Sequence, residues 1–323
     1  METLKLSSKN IITIDDNNVV SVNKQKYIVQ GFDIEDLFYD KKYNTKISIY
    51  PGGYTKTVYS SGWPFKIRIP KTSVGSGKQK MQLDLSFMRP SERDKYLREK
   101  QRENDKRACR KIEDIVMLNP DLRYFVSLTF NLDKVDSHDK ELVKKVFEKW
   151  LKDMVCDKGL KYIFVPEYHP KAGDNKIHFH GMINDVLKMV DSHTRKVRGF
   201  EKPVRLTKIG KWLRKGKITE DDILCTVYNM PEWTFGFSTA MELEKNQGSV
   251  VCYITKYIQK DVEGKNRIFG KRYWSSRNIS TLPIVKLENI SSDEFEALPL
   301  KRYDSRYDNN SYKYKNNWVN KRE

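Results

Sequence analysis

The sequence reads as a chain of the α+β class. Three observations carry that reading. Residues 124–130 form an apolar, β-prone run; residues 141–157 place Leu142, Val143, Val146, Phe147, Trp150, Leu151, Met154 and Val155 at intervals of three and four; and residues 161–168 and 177–184 are two more strand-like runs joined by a link rich in turn formers.

Taken in order, residues 1–88 read as short strands and turns, an N-terminal β-rich segment of unassigned role. Within it Lys46-Ile47-Ser48-Ile49-Tyr50 alternates and then meets Pro51-Gly52-Gly53, a turn signal. Residues 91–117 are dense in mixed charge and follow Pro90, which predicts a solvated helix. The apolar run at 124–130 predicts a buried strand. The amphipathic helix at 141–157 is closed by Gly159, a residue that accepts the left-handed conformation a helix end requires. The runs at 161–168 and 177–184 predict a hairpin across Pro170-Lys171-Ala172-Gly173-Asp174-Asn175. A further strand is expected at 233–243 and a helix at 248–261. Residues 284–323 turn polar and rich in Tyr and Asn, and are expected as a partly disordered tail. The expected organisation is therefore 1–88, a main domain at 89–283 with a basic insertion at about 186–232, and a tail at 284–323.

With 323 residues the chain is long enough for one large or two small domains. Lys and Arg number 61 against 43 Asp and Glu, a formal charge of +18 that favours a polyanionic partner, because every phosphate neutralised releases counterions. No apolar run approaches the ~20 residues that cross a bilayer, and Met1-Glu2-Thr3-Leu4-Lys5 lacks the apolar core of a signal peptide. A cytoplasmic protein without membrane association is expected. The four cysteines, Cys109, Cys156, Cys225 and Cys252, are widely spaced and offer no zinc framework. Val74-Gly75-Ser76-Gly77-Lys78-Gln79 lacks the first glycine and the Ser/Thr of a phosphate loop.

His178-Phe179-His180 is the first cluster with chemistry. Residues two apart on a strand share a face, so both imidazoles project together while Phe179 points the other way. Two strand imidazoles and one carboxylate leave coordination positions open, the design of a catalytic metal site. Glu167, at the end of the preceding strand, is the natural third ligand, with His169 and Asp174 as weaker candidates nearer the turn.

The second cluster is Tyr253-Ile254-Thr255-Lys256-Tyr257-Ile258-Gln259-Lys260, Tyr-x-x-Lys written twice. On a helix the two phenols are neighbours, and each lysine stands a turn beyond its tyrosine. Tyrosine has an ordinary pKa of ~10; an adjacent ammonium or metal favours the phenolate and would also steady the oxygens of a phosphoryl transition state. A packing face with solvated lysines is the plainer alternative.

With these motifs in order the chain resembles rolling-circle replication initiators of the HUH endonuclease superfamily, and within it the two-tyrosine class of small single-stranded DNA phages and some plasmids. Phe125-Val126-Ser127-Leu128-Thr129-Phe130 is similar to the family's first motif, His178-Phe179-His180-Gly181 to its metal motif, and Tyr253 to Lys260 to its tyrosine octet. Glu167 matches the upstream acidic ligand; Trp233-Thr234-Phe235-Gly236 and Lys271-Arg272-Tyr273-Trp274-Ser275-Ser276 resemble further landmarks. The resemblance covers about residues 90–280; the stretch 186–232 is longer than the family pattern. It implies a central antiparallel sheet of about five strands flanked by helices, with His178 and His180 on a central strand and the tyrosine helix beside it. It also implies nicking of a single-stranded origin by Tyr253 and Tyr257, assisted by Lys256 and Lys260, with Mg²⁺ or Mn²⁺ held by His178, His180 and Glu167. A covalent 5′-phosphotyrosine intermediate, later strand transfer and rejoining, and dependence on a host helicase and DNA polymerase in a bacterial cytoplasm belong to the same implication.

From Arg195 to Lys217 ten basic residues face one acidic residue, Glu201, with Phe200 and Trp212 among them. Basic groups interleaved with rings suit single strands, so DNA contacts are expected at Lys208, Lys211, Arg214 and Lys215, and also at Lys271 and Arg272. Two other classes stay open at this level. A two-tyrosine HUH transposase shares the chemistry but usually carries a cysteine-rich zinc segment, and a DNA-binding regulator would keep the motifs without catalysis. A conjugative relaxase normally has its tyrosines before its histidines, and a histidine-triad hydrolase needs a histidine where Met182 stands.

Overall fold

The structure is a computed structural model that describes residues 2–7, 10–14, 19–22, 25–29, 41–67, 87–169, 175–243, 268–302 and 312–316. Its elements run β1 (Glu2–Ser7), β2 (Asn10–Ile14), β3 (Val19–Val22), β4 (Gln25–Val29), β5 (Thr45–Ile49) and β6 (Thr55–Ser60), then helix α1 (Pro90–Leu118), β7 (Tyr124–Thr129) and α2 (Lys140–Lys158). Strands β8 (Tyr162–Tyr168), β9 (Ile177–Ile183), β10 (Val190–Val197) and β11 (Val204–Arg205) follow, then α3 (Leu206–Arg214), β12 (Ile223–Asn229), β13 (Ser238–Glu242) and β14 (Trp274–Ser275). The chain continues with β15 (Ile284–Glu288), α4 (Ser292–Ala297), β16 (Lys301–Arg302) and β17 (Tyr312–Asn316). The class is α+β, as the sequence predicts. The predicted helix at 248–261 lies outside the described residues, as does the hairpin turn from 170 to 174.

The chain divides into two compact units. One comprises Met1–Glu99 and Ser280–Glu323, the other Lys100–Ile279. The first holds a nine-stranded sheet in the order β1-β2-β3-β4-β15-β5-β6-β17-β16. Residues 284–323, expected as a tail, supply β15, β16 and β17 of this sheet together with α4. β15 lies between β4, to which it is parallel, and β5, to which it is antiparallel. The reason is local: Val285 and Leu287 alternate inward and join Val20, Val22, Val29, Tyr43 and Ile67 in one apolar cluster. α4 is held by a capping box between Ser291 and Glu294 and buries Phe295 completely, its ring 5.3 Å from that of Tyr59.

The second unit holds an eight-stranded sheet, β11-β10-β12-β13-β7-β9-β8-β14, in which every pairing is antiparallel. Three of these strands, β10, β11 and β12, come from the insertion, which leaves the five-stranded centre the resemblance implies. The insertion also carries α3 and has a small core of its own, Val197, Val204, Ile209 and Ile218.

α2 covers one face of the central strands. Asp139 caps its start, accepting from the backbone N–H of Glu141 and Leu142, and Gly159 ends it at φ 71°. Its apolar stripe, Val143, Phe147, Trp150 and Leu151, packs on Val126, Leu128, Phe164 and Phe179 of β7, β8 and β9. Phe147 stacks on Phe179 at 3.6 Å between centroids and meets Phe164 edge-on at 5.4 Å. Gly181 belongs to the same face. A Cβ there would lie 2.2 Å from Phe164 Cδ1 and 2.5 Å from the Ile163 carbonyl oxygen, so the close fit of the Phe164 ring over its neighbour requires glycine.

Two elements depart from their expectation. α1 is solvated only in its first half, where Glu103 pairs with Lys100 and Arg107; its second half buries Ala108, Cys109, Ile112, Ile115 and Val116, an apolar stripe that the charge density of the whole segment conceals. The strand expected at 233–243 begins only at Ser238. Trp233 to Phe237 instead form a turn, because the Trp233 indole N–H donates to the Thr129 carbonyl (3.0 Å) and Gly236 presses against that same carbonyl.

Candidate metal centre

The site is built by register. β7, β9 and β8 are adjacent and antiparallel, and Thr129, His178 and Glu167 lie opposite one another across the three strands; one step along, Ser127, His180 and Val165 do the same. Opposed residues share a face, and residues two apart share it too. Glu167, His178 and His180 therefore emerge together on the face that α2 does not cover, while Phe179 enters the aromatic core.

The side chains meet. Glu167 Oε2 is 3.3 Å from His178 Nε2 and 3.1 Å from His180 Nε2, and the three side chains are 13%, 10% and 12% exposed. The two imidazoles stand nearly perpendicular, 4.8 Å between centroids. Among the described residues this is the group of His, Cys, Asp and Glu side chains able to hold a metal ion, its ligand atoms within 4.8 Å of one another. The spacing fits. Ligands bound at ~2.1 Å and at right-angled or tetrahedral directions stand roughly 3.0–3.4 Å apart. The donor set, two nitrogens and one carboxylate, leaves further positions of a cation open.

His180 is oriented from behind. Its Nδ1 is 2.8 Å from Ser127 Oγ, and its ring stacks on Phe125 at 5.9 Å. In the tautomer that turns a lone pair on Nε2 toward a cation, Nδ1–H donates to Ser127. His178 Nδ1 is buried with no hydrogen-bond partner, so its ring is positioned by packing, with His169 edge-on at 6.0 Å. His169 adjoins the cluster without being part of it, and Asp174 lies outside the described residues, as do Tyr253, Lys256, Tyr257 and Lys260.

The residues expected to touch DNA fall into two groups. Lys208, Lys211, Arg214 and Lys215 are all exposed on or just after α3. Lys208 sits over the Trp212 ring at 4.8 Å, and Phe200 stacks on that ring at 4.7 Å. By contrast Arg272 is 16% exposed, pairs with Asp105 and donates to the Gln101 carbonyl, which ties the segment before β14 to α1. Lys271 is exposed and bridges to Glu148 at 3.4 Å. The Trp274 indole donates to the same carboxylate at 3.0 Å, and these two partners, Trp274 first, hold the Glu148 carboxyl below the usual range. Sequence reasoning missed Ser127, whose role depends on pairing across 53 positions.

No curated protein and no solved structure gives a significant match to the chain. Residues 123–262 match a family model of replication-associated proteins, the ORF2 type. The matched span opens at the residue before β7, contains Glu167, His178 and His180, and reaches past the tyrosine octet, so the likeness falls on the segment that carries the metal centre and supports a replication-associated protein of the Rep type.

Proposed function

We propose that this chain is a rolling-circle replication initiator, a metal-dependent endonuclease that nicks single-stranded origin DNA. The observation that carries the reading is the Glu167, His178, His180 cluster, open on one face and inside the segment similar to replication-associated proteins. The tyrosine octet supplies the nucleophile. The Tyr253 or Tyr257 phenolate attacks the scissile phosphorus, a phosphotyrosine ester forms at the 5′ end, and the bond to the 3′ oxygen breaks, the leaving alkoxide taking up a proton to become the primer hydroxyl. Lys256 and Lys260 favour the phenolate and the charge on the phosphoryl oxygens. A divalent cation on the cluster, Mg²⁺ or Mn²⁺, would polarise the scissile phosphate. The ester conserves the energy of the broken linkage, so the second tyrosine can cut the regenerated site and the circle closes without a nucleotide cofactor.

The basic insertion binds the DNA flanking the cut through Lys208, Lys211, Arg214 and Lys215. Because the Trp212 indole is already engaged by Phe200 and Lys208, this surface acts through phosphate charge more than through base stacking. A helicase and polymerase of a bacterial host extend the primer.

The test is incubation with single-stranded DNA of the parent replicon and Mn²⁺. A protein–DNA adduct that survives denaturant is expected, mapped by mass spectrometry to Tyr253 or Tyr257. It should be absent in chelator, in His178→Ala and in the double Tyr→Phe variant, with DNA binding retained. An adduct on neither tyrosine, or full cleavage in excess chelator, refutes the proposal.

A further inference from the structure

One aromatic side chain beside the metal centre is turned outward. Phe237 is 74% exposed, although Trp233 and Phe235 of the same turn pack into the core. Its place follows from register. The Phe237 carbonyl accepts from the backbone N–H of Thr129 (2.9 Å) and from its hydroxyl (3.1 Å), which sets Phe237 opposite Thr129, itself opposite His178 and then Glu167. The next residue, Ser238, is buried, pairs with the core residue Leu128 and bonds to Met230 on the α2 side. By alternation Phe237 faces the side where the histidines emerge. Two strand spacings, roughly 10 Å, separate it from His178 along that row.

The turn that carries it is fastened at several points. Besides the Phe237 bonds, Asn131 N–H donates to the Phe235 carbonyl (2.9 Å), Lys134 Nζ to the Thr234 carbonyl (2.8 Å) and the Trp233 indole to the Thr129 carbonyl. Gly236 is seated so closely that a Cβ would lie 2.2 Å from that carbonyl oxygen. The phenyl ring is therefore a solvent-exposed apolar face held on a fixed backbone, next to a site that would hold a phosphate.

We infer that Phe237 is a stacking platform for a base of the single strand lying across the metal centre, a positioning residue that holds the scissile phosphate in line with the cluster. The inference rests on the proposed cleavage of single-stranded DNA. Stacking on a ring is indifferent to which base it receives, so Phe237 contributes affinity and placement without reading sequence. The ring's own open face distinguishes it from the Phe200–Trp212 pair of the insertion, whose indole is already covered.

The experiment uses the full chain and the oligonucleotide it cleaves with Mn²⁺, carrying 2-aminopurine at successive positions around the cut. Wild type should quench the probe at one position near the cut. Phe237→Ala and Phe237→Leu should both lose that quenching and raise KM roughly 5- to 100-fold, the worth of one stacked base, with melting temperatures unchanged. Phe237→Trp should restore both. If Phe237→Leu behaves as wild type, the ring serves only as apolar bulk and the inference is overturned; unchanged KM and quenching in all three variants overturn it as well while cleavage survives. A wild-type chain that neither binds nor cleaves single strands instead refutes the proposed function, and the platform falls with it.

Discussion

Replacing Gly181 by alanine tests the geometry of the metal centre from its far side. The added Cβ would lie 2.2 Å from Phe164 Cδ1, 2.6 Å from Cε1 and 2.5 Å from the Ile163 carbonyl oxygen, against a contact distance of about 3.5–4.0 Å between carbons. A retreat of about 1.5 Å is needed. The Phe164 ring cannot supply it, being fully buried against Phe147 and Tyr162 at 5.4 and 5.7 Å. The adjustment falls on the β8–β9 pairing, which is the pairing that sets Glu167 opposite His178. Overpacking of this kind costs about 1–3 kcal/mol. At about 2–4 °C per kcal/mol for a unit of this size, Gly181→Ala should lower the melting temperature by roughly 2–12 °C. Spreading β8 from β9 should also weaken Mn²⁺ binding, read by calorimetry on the folded variant. A variant that melts with wild type and binds Mn²⁺ equally well would mean that the two strands yield freely, and the argument from register would fail.

Two further substitutions probe the site and its surroundings. Ser127→Ala removes the partner of His180 Nδ1 and should reduce metal affinity about 10- to 100-fold with little change in melting; equal affinity would show that packing on Phe125 alone orients the ring. Neutralising Lys208, Lys211, Arg214 and Lys215 together should weaken DNA binding and flatten the slope of log affinity against log salt, by about 0.7–0.9 for each phosphate that is no longer neutralised; an unchanged slope would make the insertion a solvated surface.

The metal centre is legible in the sequence because its logic is local. His-x-His places two imidazoles on one face wherever a strand forms, and a short hairpin link leaves few registers that bring Glu167 opposite them. What escapes depends on long-range pairing or on exposure. Ser127 stands in a strand that reads as merely apolar, and nothing in the run itself says which residue lies across from His180. Arg272 reads as one more basic residue near a family landmark, yet its charge is matched by Asp105, 167 positions earlier. Phe237 follows a recognisable Trp-Thr-Phe-Gly segment, but composition cannot tell an outward ring from an inward one. The C-terminal stretch is misjudged by averaging, since the polarity of 284–323 masks the alternation of Val285 and Leu287.

The position of β15 also sets an order of events during synthesis. β4 and β5 are made early but cannot become neighbours of their shared partner until the last part of the chain emerges; Gln25, for instance, hydrogen-bonds to the Pro283 carbonyl, 258 positions later. At roughly 5–20 residues per second the ribosome needs about 13–50 s to cover that interval. The Lys100–Ile279 unit, contiguous in sequence, can close on itself in that time, whereas the first strands wait with open edges that invite mispairing. A nonsense codon after the second unit would thus leave a nascent nuclease core attached to an unfinished sheet, so that removal of the C-terminal segment from Ser280 onward would be felt as aggregation of the N-terminal strands and not as a shortened tail.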